Sequence, residues 1–260
     1  MNTKSSDNIS VRINQSLPVN TTIKNPPVNE AIVEISDDQN PQNKIRLKEE
    51  GKSGVYKLPE NLSYKVVPGR KYMLKITTVD GVVISGEDYV QRTEPIDALQ
   101  INLSARGDYQ FLGVFINTQE IPGPGNYYRW MIYKNGKPQN EVDELAFTSD
   151  DFFDGNYLYN FEIYTDFHDP DEPEDGVLQL GDTVYVEQHS ISKNVYDFYF
   201  LLVNQAFTGN PFSVPPANLP GNLTADNGKK VMGLFSVSDV TVSNPVVIDS
   251  SNYTPVVITY

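Results

Sequence analysis

The densest group of potential metal ligands in this 260-residue sequence is an acidic run at positions 168–176, HDPDEPEDG. Its five carboxylates lie within seven positions and belong to Asp169, Asp171, Glu172, Glu174 and Asp175. Hard cations such as Ca²⁺ take about six to eight oxygen ligands, many of them from carboxylates. The spacing differs from that of an EF-hand loop, and two prolines restrict how the chain could wrap an ion. We therefore weigh a calcium-stabilised domain against a solvated acidic loop, and a run of charge favours the solvated loop.

A second acidic group lies in the segment SDDFFDGN, where Asp150, Asp151 and Asp154 fall within five positions. Asp154 is followed by Gly155, a pair typical of turns, so we interpret this segment as a turn. Pairs of carboxylates also carry out glycoside hydrolysis. Such pairs are inevitable in a chain with 34 acidic residues, and they therefore indicate nothing here.

Motifs for nucleophilic catalysis and phosphate binding are absent from the sequence. It has no Cys, which excludes disulfides, thiolate metal sites and a Cys nucleophile. It contains neither a Gly-x-Ser-x-Gly elbow nor a glycine-rich phosphate loop. A His-dependent mechanism would need His168 or His189, and the position of His189 at the end of a predicted strand favours a structural role. We therefore predict a protein that is not an enzyme and that has no cofactor beyond the calcium considered above.

Aromatic side chains offer a different kind of binding chemistry. Tyr127, Tyr128, Trp130 and Tyr133 lie on one predicted strand, and alternation along a strand places Tyr128 and Trp130 on the same face. Exposed rings of this kind stack on sugars or anchor a peptide or protein partner. Large aromatic side chains are more often buried, so a core position is the alternative interpretation.

A proline-rich run gives a further candidate partner surface. It spans positions 211–222, PFSVPPANLPGN, and includes Pro215 and Pro216. A rigid, extended loop loses little conformational entropy when it binds a partner. We expect either a partner surface here or a loop that covers a helix.

The charge balance restricts the class of partner. Lys and Arg total 20 and Asp and Glu total 34, which gives a net charge of −14. Such a surface repels nucleic-acid phosphates, so the sequence predicts no nucleic-acid partner. It is also repelled by anionic lipid surfaces, and no stretch approaches the ~20 apolar residues of a membrane helix.

Strand patterns dominate the chain. Apolar and polar residues alternate with a period of two, as at Tyr72, Leu74 and Ile76. The dipeptides Asp80–Gly81 and Asn135–Gly136 are signals for hairpins whose turn residues both have positive φ. Turn signals recur every 8–12 residues or so, as in sandwiches and barrels. The sequence therefore predicts an all-β, or mainly β, protein.

We predict two domains. An immunoglobulin-like β-sandwich occupies 9–90, and a polar segment ending in a proline separates it from a larger β-sandwich or barrel-like domain at 96–260. The last strands of the second domain are predicted near 231–238 and 255–260.

One segment has a helical period instead. In SISKNVYDFYFLLVNQAF, apolar residues recur at spacings of three and four from Val195 to Ala206. Ser192 is placed to cap the N-terminus. Phe200 and Leu201 widen the apolar arc, so we predict one buried helix near 192–206 that packs in the second domain.

Several segments, in this order and spacing, resemble one protein family. VNEAIVEI and PGRKYMLKI come first, EPIDALQI, NYYRW and DDFFDG follow, and GDTVYVEQHSISKNVYDFYFLLVNQ, PFSVPPANLPGN and GLFSVSD come last. Together they resemble the bacterial outer-membrane lipoproteins classed as domain of unknown function 4249, which are found beside TonB-dependent transporters.

The resemblance implies a location and a role rather than a reaction. Members of the family are exported and held in the outer membrane through a signal peptide and a lipidated Cys, neither of which is within this sequence. We therefore expect a non-enzymatic accessory protein at the cell surface that partners a TonB-dependent barrel in nutrient capture. The alternatives are a glycan- or peptide-binding module and a calcium-stabilised structural domain.

Overall fold

A computed structural model describes residues 1–17, 22–106, 109–165, 178–206, 219, 221–249 and 251. Strands dominate the described chain, and the prediction of a mainly β protein with one α-helix is confirmed. In chain order the elements are β1 (Ser10–Arg12), β2 (Ile32–Asp37), β3 (Ile45–Glu49), β4 (Val55–Lys57), β5 (Lys71–Thr77), β6 (Val83–Tyr89), β7 (Ile96–Arg106), β8 (Tyr109–Gln119), β9 (Tyr127–Lys134), β10 (Lys137–Gln139), β11 (Ala146–Ser149), β12 (Tyr157–Thr165), β13 (Thr183–Ile191), α1 (Lys193–Ala206), β14 (Leu223–Ala225), β15 (Val240–Val242) and β16 (Val246–Val247).

The chain divides into two compact units, neither of which is continuous in sequence. Unit 1 comprises Met1–Arg92 and Ile191–Asp239, and unit 2 comprises Thr93–Ser190 and Val240–Tyr260. The first boundary lies in the predicted linker. In contrast to the predicted domains, α1 and the segment after it belong to unit 1, because β14 returns to pair with β6. Local patterns along a sequence do not reveal such a return of the chain.

Unit 1 is built on a seven-stranded antiparallel sheet with the strand order β1-β4-β3-β2-β5-β6-β14. β3 pairs with β2 through residues 45–47 and with β4 through residues 48–49, so the sheet changes direction along this strand. The predicted alternation in β5 is confirmed, since Tyr72, Leu74 and Ile76 are all buried in the core of this unit. The sheet thereby curls over its own apolar face.

The strand predicted near 231–238 is wrong over residues 231–237, which form no ladder with any other described segment. Side chains, rather than a neighbouring strand, form hydrogen bonds with the backbone of this segment. Asn222 accepts from the Phe235 N–H at 2.8 Å and donates to the Phe235 carbonyl at 2.7 Å. The Val237 N–H donates to the Asp88 carboxylate at 2.7 Å. The strand predicted near 255–260 lies outside the described residues.

The two predicted hairpin turns differ in geometry. Asn135 and Gly136 have φ values of 51° and 78°, as the type I′ turn between β9 and β10 requires. At the other turn only Gly81 has a positive φ, 85°, and the connection spans residues 78–82. A longer loop places only one residue in the left-handed region, so the prediction of two positive φ values holds at Asn135–Gly136 alone.

The helix α1 begins where the sequence predicts. The Val195 N–H donates to the Ser192 hydroxyl at 3.4 Å, which confirms the cap. The helix is less buried than predicted, because Val195 is its one fully buried residue and Phe200 is 51% exposed. Its apolar arc is wider than the surface that it meets in the described part of unit 1. Among the described residues, no helix has both the length and the apolar character needed to cross a membrane.

Unit 2 contains two sheets around one core. One sheet has the order β12-β8-β7, and the other has the order β10-β9-β13-β15, with β11 also pairing with β9 and β16 with β13. Both sheets contribute to a single cluster of buried apolar side chains, for example Val114 from β8 and Val186 from β13. Two sheets that share an apolar interior have the architecture of a sandwich.

Candidate functional site

Two of the predicted sites cannot be located in the fold. The acidic run at 168–176, including Asp169, Asp171, Glu172, Glu174 and Asp175, lies outside the described residues, as do Pro215 and Pro216. The calcium site and the proline-rich partner surface therefore stay predictions.

The ligand surface predicted at Tyr128 and Trp130 is wrong, and the alternative of a core position is confirmed. The two side chains are 5% and 4% exposed. The Trp130 indole N–H donates to the Gln188 side chain at 2.8 Å, and the Tyr128 hydroxyl donates to Glu120 at 2.8 Å. Trp130 also packs on Phe161 of β12, in the other sheet, with ring centroids 5.9 Å apart, so the face of β9 that carries the two rings turns toward the core of unit 2.

His189 has the structural role that the sequence predicts. It is buried, and its Nε2 lies 3.3 Å from a carboxylate oxygen of Glu187. Burial lowers the pKa of the His189 imidazole, and the Glu187 carboxylate opposes that shift. The ring is therefore held neutral inside the unit rather than presented to a substrate.

The structure brings Glu120 together with two carboxylates that lie at least thirty positions later in the sequence. Oxygens of Glu120, Asp150 and Asp154 all lie within 4.8 Å of one another, and the first two side chains are buried. Sequence analysis singled out Asp150 and Asp154 but missed Glu120, which follows β8. Asp151 stays outside the group and accepts a hydrogen bond from the Ser149 hydroxyl at 2.6 Å.

Backbone amides of a facing loop bond these carboxylates. Asp150 accepts from the N–H groups of Gly125 at 3.0 Å and Asn126 at 2.9 Å. Asp154 accepts from the Gly123 N–H at 2.7 Å. Glu120 accepts from the backbone N–H of Gly155, across the same junction. We call residues 120–126 and 150–155, joined in this way, the clamped loops.

The sequence of the first clamped loop explains this pattern. In IPGPGN, Pro122 and Pro124 have no N–H group. Of the remaining N–H groups, those of Gly123, Gly125 and Asn126 bond the facing carboxylates. Gly123 and Gly125 have φ values of 124° and 102°. Glycine adopts these angles without a steric penalty, and the loop can turn its amides toward the acids.

The chemistry of this group is that of a structural clamp. Of the described residues, these three carboxylates are the group that could hold a metal ion. The surrounding N–H dipoles point their positive ends at the carboxylate oxygens, which balances the negative charge and competes with a cation. Charged acceptors make the stronger class of protein hydrogen bonds, so the main consequence of the arrangement is a rigid turn at 150–155.

That turn displays one aromatic ring in solvent. Phe152 is 96% exposed, the largest exposed fraction among the large hydrophobic side chains that the structure describes. Its neighbour Phe153 points the other way and packs on Phe161 with ring centroids 5.4 Å apart. Asp151 and Asp154 flank Phe152 and are both exposed. Sequence analysis interpreted the segment as a turn, correctly, but missed the paired phenylalanines that signal one inward and one outward ring.

A second exposed aromatic pair lies on β12. Tyr157 and Tyr159 are 49% and 75% exposed, and their spacing of two places both on one face of the strand. The Tyr157 hydroxyl donates to Asp97 at 3.0 Å. Near them, the Asn102 amide donates to the Asn160 side chain at 2.6 Å.

Comparison with known proteins identifies the family. No curated protein matches the chain. The model of one family, described as domain of unknown function DUF4249, matches residues 2–244. That range covers nearly the whole sequence and confirms the resemblance inferred from the order and spacing of the quoted segments. The chain belongs to the DUF4249 family.

Proposed function

We propose that this protein is a non-enzymatic accessory protein at the outer-membrane cell surface that binds a TonB-dependent transporter and assists nutrient capture. The observation that carries the proposal is the display of Phe152 on a turn fixed by three carboxylates. The transporter is the partner that the family resemblance implies. The fixed, exposed ring supplies the point of contact for that partner.

An exposed aromatic ring on a rigid turn has the properties of an interface anchor. Burying a Phe side chain is worth about 1.5–3 kcal/mol relative to leaving it in water, and binding recovers this free energy. A turn that is already fixed loses little further entropy. Aromatic anchors contribute a large share of the binding energy in many interfaces. The flanking Asp151 and Asp154 fit an apolar pocket with a basic rim.

The described polar groups support the non-enzymatic part of the proposal. The carboxylate group at Glu120, Asp150 and Asp154 bonds backbone amides rather than facing an open cleft. His189 is buried and held neutral. The buried Glu120, Asp150 and His189 therefore lack the access to a substrate that general acid–base catalysis needs.

A capture experiment from native outer membranes tests the proposal. The tagged protein is compared with Phe152→Ala and with Val79→Ala, which removes another mostly exposed apolar side chain (71%, against 96% for Phe152) from unit 1. We expect the wild type and Val79→Ala to retain a TonB-dependent barrel, and Phe152→Ala to lose it by about 30-fold, the equivalent of ~2 kcal/mol. Absence of a barrel from the wild-type eluate would reject the transporter as partner. Retention by Phe152→Ala would reject the turn as its contact.

A second candidate function is glycan binding, favoured by Tyr157 and Tyr159 on β12. Exposed rings stack on sugar faces, and the nearby side chains of Asn102 and Asn160 offer amide groups for hydroxyls. A glycan array tests this idea with the wild type, Tyr159→Ala and Phe152→Ala. Glycan binding predicts hits that Tyr159→Ala loses and Phe152→Ala keeps. An array without hits would reject it.

A further inference from the structure

Unit 1 contains a cavity of about 510 Å³ between one edge of its curled sheet and the segment that follows β14. Its floor is apolar and consists of Leu74, Ile76, Ile84, Leu223 and Phe235. Residues 10–14 form one wall, and residues 230–236 form the other. The cavity is therefore bounded by two extended stretches of chain with apolar side chains beneath them.

The first wall presents unpaired backbone groups. Among the strands that the structure describes, β1 pairs with β4 alone and is the edge strand of its sheet. The Ile9 carbonyl accepts from Leu58, and the Ile13 N–H donates to Gly54, so the odd-numbered residues bond β4. In an antiparallel pair the bonding direction alternates along the strand. The N–H and C=O groups of Ser10 and Arg12 are therefore directed away from β4, toward the cavity.

The second wall includes a stretch without backbone pairing. Residues 230–234 make no backbone–backbone hydrogen bond with any other described residue. This is the stretch that the sequence predicts as a strand, with the pattern VMGLFSV from Val231 to Val237. A sequence with strand character thus lies beside a cavity without a neighbouring strand.

We propose that this cavity binds an extended peptide segment of a partner protein, which adds to the free edge of β1 as a further strand. Backbone bonds to Ser10 and Arg12 would supply affinity, and alternate side chains of the peptide would enter the apolar floor. A strand rises ~3.4 Å per residue, so residues 10–14 accommodate a peptide of about five residues. The unpaired edge favours strand addition over the binding of a small apolar molecule, which makes no use of backbone groups.

Charge specifies the peptide further. Arg12 and Lys230 line the cavity and are exposed, and none of the residues that line it is acidic. This local excess of positive charge lies in a chain whose net charge is −14. The peptide that fits therefore has apolar residues at every second position, alternating with polar ones, and carries Asp or Glu at its ends. The site lies in unit 1 and stands independently of the function proposed for Phe152 in unit 2.

Synthetic peptides test the proposal directly. The probes are three fluorescent heptapeptides, Glu-x-Thr-x-Thr-x-Glu with x as Val, Leu or Phe, and binding to the full chain is followed by anisotropy. We expect at least one to bind, and N-methylation of alternate backbone amides to weaken it about tenfold or more, because the methyl groups remove donors. Replacing the terminal Glu residues with Lys should also weaken binding. If none of the three peptides binds, or if N-methylation has no effect, the proposal is overturned.

Two variants locate the site. Arg12→Pro removes an N–H that faces away from β4, a position where an edge strand tolerates proline, and Arg12→Glu keeps the backbone but reverses the charge. We expect both variants to bind the peptide about tenfold more weakly or worse, with unchanged circular dichroism. The control is Lys52→Glu, at an exposed lysine outside the cavity, and it should leave the peptide affinity unchanged. Equal binding by all variants would overturn the assignment. A dimer in light scattering that Arg12→Pro abolishes would overturn it in favour of a second copy as occupant.

Discussion

At the scale of single residues, Asp88 is the clearest case of a group whose charge works against the fold. It is 4% exposed, and it accepts a hydrogen bond from the Val237 N–H at 2.7 Å. Burial raises the pKa of this carboxyl, and the hydrogen bonds that it accepts only partly oppose the shift. The ionised form is therefore less stable in the folded chain than in the unfolded chain.

This shift predicts a specific dependence of stability on pH. A carboxyl whose pKa is raised by folding binds its proton more tightly in the folded state. The contribution of Asp88 to the free energy of unfolding therefore falls as the pH rises from the pKa of the unfolded state, about 3.9, to the higher pKa of the folded state. Above the folded pKa the contribution is constant. Asp88→Asn keeps an acceptor for Val237 but cannot ionise. We expect the stability of the wild type relative to Asp88→Asn to fall with pH over that window in urea unfolding. A constant difference would contradict the argument.

At the scale of structural elements, the clamped loops depend on carboxylates that bond backbone amides. Asp150→Ala would leave the N–H groups of Gly125 and Asn126 without their acceptor. Hydrogen bonds to charged groups contribute about 1.5–3 kcal/mol each, so the loss of two should lower the free energy of unfolding by about 3–6 kcal/mol. The neighbouring Asp151→Ala is the matched control and should change it by less than about 0.5 kcal/mol. Similar losses for the two variants in denaturant titrations would argue against the clamp.

The effect of Ca²⁺ on the Tm distinguishes a metal site in the clamped loops from the site predicted at 168–176. If amides alone satisfy the clamp, Ca²⁺ and a chelator should leave the difference in Tm between the wild type and Asp150→Ala unchanged. A calcium site in the acidic run would raise the Tm of both proteins by the same amount, because an ion that binds only the folded state stabilises it. A calcium effect that disappears in Asp150→Ala would instead identify Glu120, Asp150 and Asp154 as the ligands. Differential scanning calorimetry distinguishes these results.

The sequence correctly predicts features that depend on residues close together in the chain. The alternation in β5, the cap at Ser192 and the turn at Asn135–Gly136 each depend on residues close together in the chain, and each is confirmed. Predictions that depend on distant neighbours are less successful. Trp130 is buried because a second sheet, which contributes Phe161, packs against its face of β9. Glu120 gains its role from a turn that begins thirty residues later.

At the scale of the whole molecule, neither unit is a continuous stretch of chain. Residues Phe235 and Val237 belong to the core of unit 1, and β14 extends its sheet beside β6. We therefore expect a fragment of residues 1–92 to lack cooperative unfolding and dispersed amide resonances. A fragment that joins 1–92 to 191–239 should show both. A fragment 1–92 that folds cooperatively would support the continuous domain that the sequence predicts.

The central claim is that Phe152 contacts a protein partner at the outer-membrane surface, and site-specific photo-crosslinking in living cells tests it most directly. A photoreactive phenylalanine replaces Phe152 in the protein, and Val79 in unit 1, which is also mostly exposed, serves as the control position. After irradiation, mass spectrometry identifies the crosslinked protein. The account predicts a crosslink from position 152, and none from position 79, to a surface-exposed segment of a TonB-dependent barrel. No crosslink from position 152, or the same products from both positions, would contradict it.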